Sequence, residues 1–247
     1  MIPVDSRHGP GTVGYWTAWH PRYWQFLDCL TPLQVPKGTR LLRVQGDSSP
    51  AGCNKLADAL FDADWPANNW IWFLPDDHTF EPDTLMRLLD QDKDVIAPSV
   101  CRRFPPEFES VAYELCDAKT GMVKRWSWPQ IAQAAVDGRL LPCQALGGSG
   151  LLIKKHVFEV VERPYFVNLI PEQVSEDIDF TNRLFEAGVK LWMEPRASLT
   201  HLIDGALEWR FFPDGTFGLG IIIGGQIFKV SACQSSEKRS SLVAPSL

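Results

Sequence analysis

Asp76, Asp77 and His78 stand together in the chain, and side chains of these types can bind a metal ion. Carboxylate oxygens are hard ligands that suit Mg²⁺ or Mn²⁺ in complex with a phosphorylated substrate. In an extended turn, the side chains of Asp76 and His78 point to one side and that of Asp77 points to the other. The alternative is a solvated turn that leads into a helix, because Asp is common in both places.

The elements predicted around these three residues place them where α/β proteins bind ligands. The run Trp70–Leu74 is apolar and rich in aromatic and branched side chains, which predicts a strand buried on both faces. A helix is predicted to open at Glu81-Pro82-Asp83, with Pro82 at its first position, and Asp94–Val100 is predicted to be the next strand. The buried stripe of that helix comprises Leu85, Leu88 and Leu89. A buried strand that ends in carboxylates and leads into a helix marks a ligand site.

A second group of acids opens a predicted helix within residues 174–193. Ser175 is predicted to cap this helix, and Gly188 is predicted to end it before a strand. Glu176 and Asp177 then lie in its first turn. Acids at that position interact favourably with the helix dipole, so stability alone could account for them.

Two further segments offer groups that bind phosphate or sugar oxygens. Arg102 and Arg103 follow the predicted strand Asp94–Val100, and guanidinium groups pair well with phosphate, although solvated loop charges would explain them equally. Residues 147–150, Gly-Gly-Ser-Gly, run straight into an apolar stretch. Their backbone N–H groups could donate to a ligand, or the glycines could form a turn or bulge before a strand.

Two of these motifs resemble a known family. The run Trp72–Leu89, W-F-L-P-D-D-H-T-F-E-P-D-T-L-M-R-L-L, followed by D-V-I-A-P, resembles the metal-binding segment of GT-A-fold glycosyltransferases of the family-2-like group, within the nucleotide-diphospho-sugar transferases. The acidic pair Glu176-Asp177 with the later E-A-G-V-K is similar to the segment that supplies the catalytic base of that family. The resemblance covers about Arg40 to His201, and it departs from the family at Pro75, where many members carry an acid, and at His78.

The resemblance implies a role for each candidate residue. A divalent ion would be bound by Asp77 foremost, with Asp76 and His78, and His201 would complete its site. Asp177 would take the proton from the acceptor, with Glu176 in support and Asp179 in reserve. The nucleotide-diphospho-sugar would contact Asp47, Asn54, Asp76, Arg102, Arg103, Gly148 and Ser149. At Cys53-Asn54 the family has an Arg-Asn pair, so the arginine is missing here. Without the family, a lone histidine such as His201 is more often a packed or surface residue.

The whole chain is predicted to form one GT-A, Rossmann-like α/β domain over residues 1–230. A mostly parallel central sheet flanked by helices would carry a C-terminal β-meander from Glu208 to Val230, and the Ser-rich tail 231–247 is expected to be disordered. Residues 15–30 are predicted to be a helix broken at Pro21, residues 40–44 a strand, and residues 107–141 a variable insertion. Residues 1–14 allow no assignment. Ser49 is predicted to cap a helix with Pro50 at its first position.

Bulk properties narrow the class of protein. The chain has 247 residues, 45% of them hydrophobic, and a net charge of −6, which argues against a strongly basic nucleic-acid-binding surface. The six cysteines form no C-x-x-C pair, so we expect reduced and mostly buried thiols. No signal peptide or membrane span is evident, and a cytoplasmic location is expected.

The predicted activity is a metal-dependent transfer of a hexose from a nucleotide-diphospho-sugar to an acceptor hydroxyl, with inversion. UDP is preferred to GDP in the donor, and Mn²⁺ or Mg²⁺ serves as the ion. The acceptor is open: a glycan, a lipid-linked sugar, a protein, or a hydroxymethylated base in phage-type DNA, which the net charge does not favour. Two alternatives remain, a metal-dependent nucleotidyltransferase or other phosphate-ester enzyme, and a non-catalytic protein that binds sugar nucleotides.

Overall fold

The computed structural model describes residues 1–17, 23–45, 48–65, 67–102, 109–117, 122–169, 174–202, 206–223 and 226–229. Asp47, Arg103 and the tail 231–247 lie outside these ranges. The helices are α1 Trp24–Leu30, α2 Ser49–Asp58, α3 Thr84–Asp90, α4 Trp128–Asp137 and α5 Glu176–Glu186, with 3₁₀ turns at Ala59–Phe61 and Lys155–Glu159. The strands are β1 Ile2–Val4, β2 Thr12–Thr17, β3 Gln34–Pro36, β4 Arg40–Gln45, β5 Trp70–Pro75, β6 His78–Phe80, β7 Val95–Ser99, β8 Ala112–Asp117, β9 Met122–Arg125, β10 Leu141–Cys143, β11 Ala145–Leu146, β12 Leu152–Lys154, β13 Leu191–Leu202, β14 Ala206–Phe211, β15 Phe217–Ile223 and β16 Gln226–Lys229.

One large sheet has the strand order β4-β2-β5-β12-β7-β13-β14-β15-β16. From β4 to β13, five of the six described strands are parallel, and β12 runs antiparallel to its neighbours β5 and β7. Strands β13 to β16 then follow one another antiparallel, which confirms the predicted C-terminal β-meander. The predicted α/β class with a mostly parallel sheet is therefore confirmed.

Strand β5 separates the two layers of the core. All six of its residues are buried. Ile71 and Phe73 face the layer that contains Leu56 of α2 and Phe180 of α5. Trp70, Trp72 and Leu74 face the opposite layer, whose other members include Phe26 of α1 and Leu85 and Leu88 of α3. This alternation explains why the sequence of β5 is a continuous apolar run, as a strand covered by helices on both faces requires.

The helix predicted over residues 15–30 is wrong in its first part. Tyr15, Trp16 and Thr17 belong to β2, which pairs in parallel with both β4 and β5, and the helix begins only at Trp24. The run Thr-Val-Gly-Tyr-Trp-Thr is rich in branched and aromatic residues that suit a strand, and all of its residues except Trp16 are buried. The N-terminal segment that allowed no assignment thus supplies a central strand of the sheet.

Two helix starts also differ from their predictions. Helix α3 begins at Thr84, because the carbonyl of Pro82 accepts a hydrogen bond from the amide of Gln34 at 2.8 Å and so lies in a turn beside β3. Helix α2 begins at Ser49 with Ser48 as the preceding residue, one position earlier than predicted. The predicted buried stripe of α3, Leu85, Leu88 and Leu89, is confirmed.

Other sequence predictions also match the structure. Gly188 follows α5 with φ +87°, a conformation in which glycine is unstrained. Residues 107–141 contain the β8–β9 hairpin and α4. Among the cysteines that the structure describes, Cys53, Cys101 and Cys143 are buried free thiols and Cys29 is half-buried, as predicted. None of the described helices has the length and apolar composition needed to cross a membrane.

The turn between β11 and β12 is crowded around Gly150. Gly150 has φ +74°, and a Cβ atom added there would lie 2.6 Å from Cγ of Pro98 and 2.7 Å from Cδ1 of Leu199. Its carbonyl also accepts the indole N–H of Trp72 at 2.8 Å. Both the backbone conformation and the lack of space therefore require glycine at this position.

Gly150→Ala should lower the free energy of unfolding by about 2–5 kcal/mol, from about 1–2 kcal/mol of backbone strain and about 1–3 kcal/mol of overpacking. Gly188→Ala is the matched control, because Gly188 also has a positive φ but no atom within 4 Å of the added Cβ. Urea unfolding of both variants measures the difference. Equal losses would show that the turn around Gly150 is not packed as described.

Candidate functional site

A cavity of about 300 Å³ opens at the carboxyl ends of the parallel strands. Its lining comes from the ends of β2, β5 and β13, the segments that follow β5 and β7, and the first residues of α2 and α5. The turn between β11 and β12 and the segment around Phe166 also contribute. The lining residues are Trp16, Ser49, Cys53, Phe73, Pro75, Asp77, His78, Arg102, Val111, Gly148, Ser149, Leu151, Phe166, Glu176, Asp177 and His201. This edge of an open α/β sheet is where such folds bind ligands.

Asp77, His78 and His201 form a compact cluster at one end of the cavity. One ligand atom from each residue lies within 4.8 Å of the others. The Nδ1 atom of His78 lies 2.8 Å from Oδ1 of Asp77, and Nε2 of His201 lies 3.4 Å from Oδ2 of Asp77. The two imidazole rings stack with their centroids 4.2 Å apart. One carboxylate therefore faces two imidazole rings, a set of donors that can hold a divalent metal ion.

Strand pairing brings the two histidines together. β6 and β13 are antiparallel, and His201 lies opposite His78 in their register. Asp77 lies in the turn before β6, and His78, the first residue of that strand, is its neighbour in the cluster. Asp76 is buried, but neither the cluster nor the cavity lining includes it.

Hydrogen bonds orient the candidate ligands. Nδ1 of His201 lies 2.9 Å from the carbonyl oxygen of Cys101, so this nitrogen carries hydrogen and Nε2 faces Asp77. Burial alone would raise the pKa of the Asp77 carboxyl, but hydrogen bonds from His201 and His78 hold this pKa well below its usual range. Asp77 is therefore an anion that attracts either protonated imidazole or a metal ion.

The acids at the start of α5 lie in the same cavity. Oδ2 of Asp177 accepts the backbone N–H of Gly148 at 2.7 Å, and its Oδ1 accepts the N–H of Ile178 at 2.8 Å. Ser175 occupies the N-cap position of α5, as predicted, but its hydroxyl donates to Asp177 rather than accepting a helix N–H. Glu176 accepts the hydroxyl of Ser49, which joins the first turns of α5 and α2.

The remaining predicted residues fall into three groups. Arg102, Gly148 and Ser149 line the cavity, and Arg102 also lies 3.5 Å from Oε2 of Glu109. Asn54 and Asp179 do not belong to the described lining: the amide of Asn54 bonds to the backbone of Phe166, and Asp179 forms an ion pair with Arg183 at 3.0 Å. Asp47 and Arg103 lie outside the described residues.

The aromatic part of the lining was not predicted from the sequence. Trp16, Phe73 and Phe166 lie on the side of the cavity that faces α2 and α5. Recognition of β2 would have placed Trp16 near the end of a central strand and so close to the site. Phe166 belongs to an irregular segment with no motif, so no signal in the sequence pointed to it.

No protein-family model and no curated protein matches this chain. Among solved structures, A197 from STIV gives a TM-score of 0.57 at 13% sequence identity, over 91% of this chain and 100% of that one. The structure of GalNAc-T7 with UDP, GalNAc and Mn²⁺ gives 0.51 at 10% identity, over 80% of this chain and 45% of that one. S. aureus TarS 1-349 gives 0.43 at 15% identity, over 74% of this chain and 57% of that one.

These similarities concern the fold. This chain spans less than half of the GalNAc-T7 chain but all of A197. Its central sheet, with five parallel strands and antiparallel β12, agrees with the fold that the sequence predicted. The chain therefore has a GT-A-like α/β fold.

Proposed function

We propose that this protein is a metal-dependent glycosyltransferase that transfers a hexose from a nucleotide-diphospho-sugar to an acceptor hydroxyl. One observation carries the proposal: the Asp77–His78–His201 cluster and the acids Glu176 and Asp177 line a single cavity at the ligand-binding edge of a GT-A-like sheet. A metal site and a carboxylate base in one cavity are what this chemistry needs.

The charges of the cavity favour a metal ion as part of the donor site. Among the described lining residues, Asp77, Glu176 and Asp177 are carboxylates and Arg102 is a guanidinium. A diphosphate would be repelled by three carboxylates unless a cation compensates. Asp77, His78 and His201 would hold that ion, which when bound neutralises the charge that develops on the diphosphate leaving group.

The side chains of the cluster favour one metal ion, and a structure with the same fold favours one nucleotide. Mg²⁺ binds mainly carboxylates and water, whereas two imidazoles suit a softer ion, so we favour Mn²⁺ over Mg²⁺. GalNAc-T7, which shares the fold, was solved with UDP and Mn²⁺. This supports UDP ahead of GDP as the nucleotide of the donor.

Asp177 is the base in this proposal. The acceptor hydroxyl transfers its proton to Asp177 while its oxygen forms a bond to the anomeric carbon, and the bond from that carbon to the diphosphate oxygen breaks. In-line attack inverts the anomeric configuration. The N–H of Gly148 fixes the orientation of the Asp177 carboxylate, and Glu176 contacts the acceptor from the same turn of α5. The acceptor could be a glycan or a protein, and DNA is disfavoured by the net charge of −6.

Adding Mn²⁺ with the correct nucleoside diphosphate should raise the melting temperature, because a ligand that binds only the folded state stabilises it. At about 100 times the Kd, the expected rise is about 5–10 °C. A thermal-shift panel of UDP, GDP, ADP and CDP, with and without Mn²⁺, measures it.

In this panel Asp77→Ala should abolish the Mn²⁺-dependent rise. Asp5→Ala, at a side chain that is 90% exposed, is the control and should keep it. A rise with Mn²⁺ and inorganic phosphate alone would favour a phosphate-ester enzyme. No rise with any nucleotide would contradict the proposed donor site.

The affinity for Mn²⁺ should fall by about tenfold or more between about pH 7.5 and pH 5.5. Asp77 stays ionised in this range because its pKa is low, so the pH dependence comes from the imidazole ligands, which bind a metal ion only in their neutral form. Protonation removes the lone pair that binds the ion, and the affinity is thus higher at the higher pH. Calorimetric titration with Mn²⁺ at each pH measures it, and an affinity that does not change would exclude the histidines as ligands.

Asp177→Asn should lower kcat by about 10²–10⁴ and change the affinity for Mn²⁺ and UDP by less than about threefold. The amide keeps the size of the side chain but cannot accept the proton. Release of UDP from the donor in the presence of an acceptor mixture measures the turnover. Asp137→Asn on α4 is the control, and turnover equal to wild type in Asp177→Asn would remove Asp177 from the mechanism.

A further inference from the structure

A short segment, Tyr165–Phe166, lies between the two helices whose first turns line the cavity. On one side, the amide of Asn54 in α2 donates to the carbonyl of Phe166 at 2.8 Å, and its Oδ1 accepts the N–H of Phe166 at 3.1 Å. On the other side, the guanidinium of Arg183 in α5 donates to the carbonyl of Tyr165. The segment is thus attached to both helices through its backbone.

This attachment fixes the ring of Phe166 in the cavity wall. The ring packs on Phe180 of α5 with centroids 4.4 Å apart and on Phe73 of β5 at 5.4 Å. Phe166 is 3% exposed, yet it contributes to the lining. A small movement of the backbone at residue 166 would therefore move one face of the cavity.

The hydrogen bonds of Asn54 are made to main-chain groups of Pro50 and Phe166. Its Nδ2 atom donates to the carbonyls of Pro50 and Phe166, at 2.9 and 2.8 Å, which uses both of its hydrogens. Asn54 does not belong to the described lining. We propose that Asn54 is a positioning residue: it holds Phe166 as the apolar wall for the organic part of the donor and does not touch the donor itself.

This inference rests on the proposed function and makes it more specific. The cavity is polar at Asp77 and the histidines and aromatic at Trp16, Phe73 and Phe166. A nucleotide has the same two parts, an anionic diphosphate and an organic part whose flat faces pack well on aromatic rings. A change at Asn54 should thus affect a nucleotide but not inorganic pyrophosphate, which lacks the organic part.

The experiment compares Asn54→Ala with wild type in calorimetric titrations with UDP and with pyrophosphate, both with Mn²⁺. GDP, ADP or CDP replaces UDP if it gives the larger thermal shift. We expect a loss of about tenfold in nucleotide affinity and less than about twofold for pyrophosphate. Asn182→Ala is the matched control, because the amide of Asn182 bonds only to the side chains of Gln144 and Glu186 among the described residues.

Two further measurements test the physical cause. Hydrogen exchange at the Phe166 amide should be faster in Asn54→Ala, since its acceptor Oδ1 is gone. In a double-mutant cycle, Asn54→Ala should have little effect on nucleotide affinity once Phe166→Leu has removed the ring. If Asn54→Ala does not fold, Asn54→Asp replaces it, because Asp keeps the acceptor for Phe166 N–H and loses both donated hydrogen bonds.

Each outcome decides the inference. Unchanged nucleotide affinity in the Asn54 variant, equal losses for UDP and pyrophosphate, additive effects of the two substitutions, or wild-type affinity in Phe166→Leu would each overturn it and leave the proposed function standing. Wild-type protein that binds pyrophosphate with Mn²⁺ but no nucleotide, or neither of them, would overturn the proposed donor site and the inference with it.

Discussion

The register in which β13 pairs with β6 determines whether the candidate metal site exists. His201 lies opposite His78 in this register, and the amide of Leu202 donates to the carbonyl of Asp77 at 2.8 Å. Side chains alternate between the two sides of a strand, so a shift of one residue would turn His201 away and present Thr200 or Leu202 to Asp77. The long strand β13 also pairs with β7 and β14, and these pairings fix its position along the sheet.

The same strand pairing buries the carboxylate of Asp77. Burial of a charged group is unfavourable unless the charge is compensated. Asp77 is 4% exposed, and the two imidazole rings lie at its two oxygens. A cation compensates this buried negative charge, either as a proton shared with the rings or as a metal ion. The fully apolar strand β5 immediately before Asp77 supplies the burial that holds the turn in place.

Much of the fold was predictable from local pattern, because β5 and β7 are short buried runs and the helices α2, α3 and α5 have apolar residues at helical spacing. Strand β2 was not predictable in this way, since its aromatic residues also suit a helix. Only its pairing with β4 and β5 makes it a strand. For the site, the adjacency of Asp77 and His78 was visible in the sequence, but the direction of each side chain was not. The contact of Asn54 with Phe166 was not visible in the sequence either, because it joins residues that are 112 positions apart.

Backbone groups hold most of the candidate site in place. The N–H of Gly148 orients Asp177, and the carbonyl of Cys101 orients His201. Asn54 forms hydrogen bonds with the backbone of Phe166 rather than with its side chain. Such contacts depend on the path of the chain and restrict few residue types beyond the ligands themselves. Sequence can then vary widely while the path of the backbone stays similar. In a site of this kind, the chemistry resides in a few side chains, and the fold supplies their geometry through the main chain.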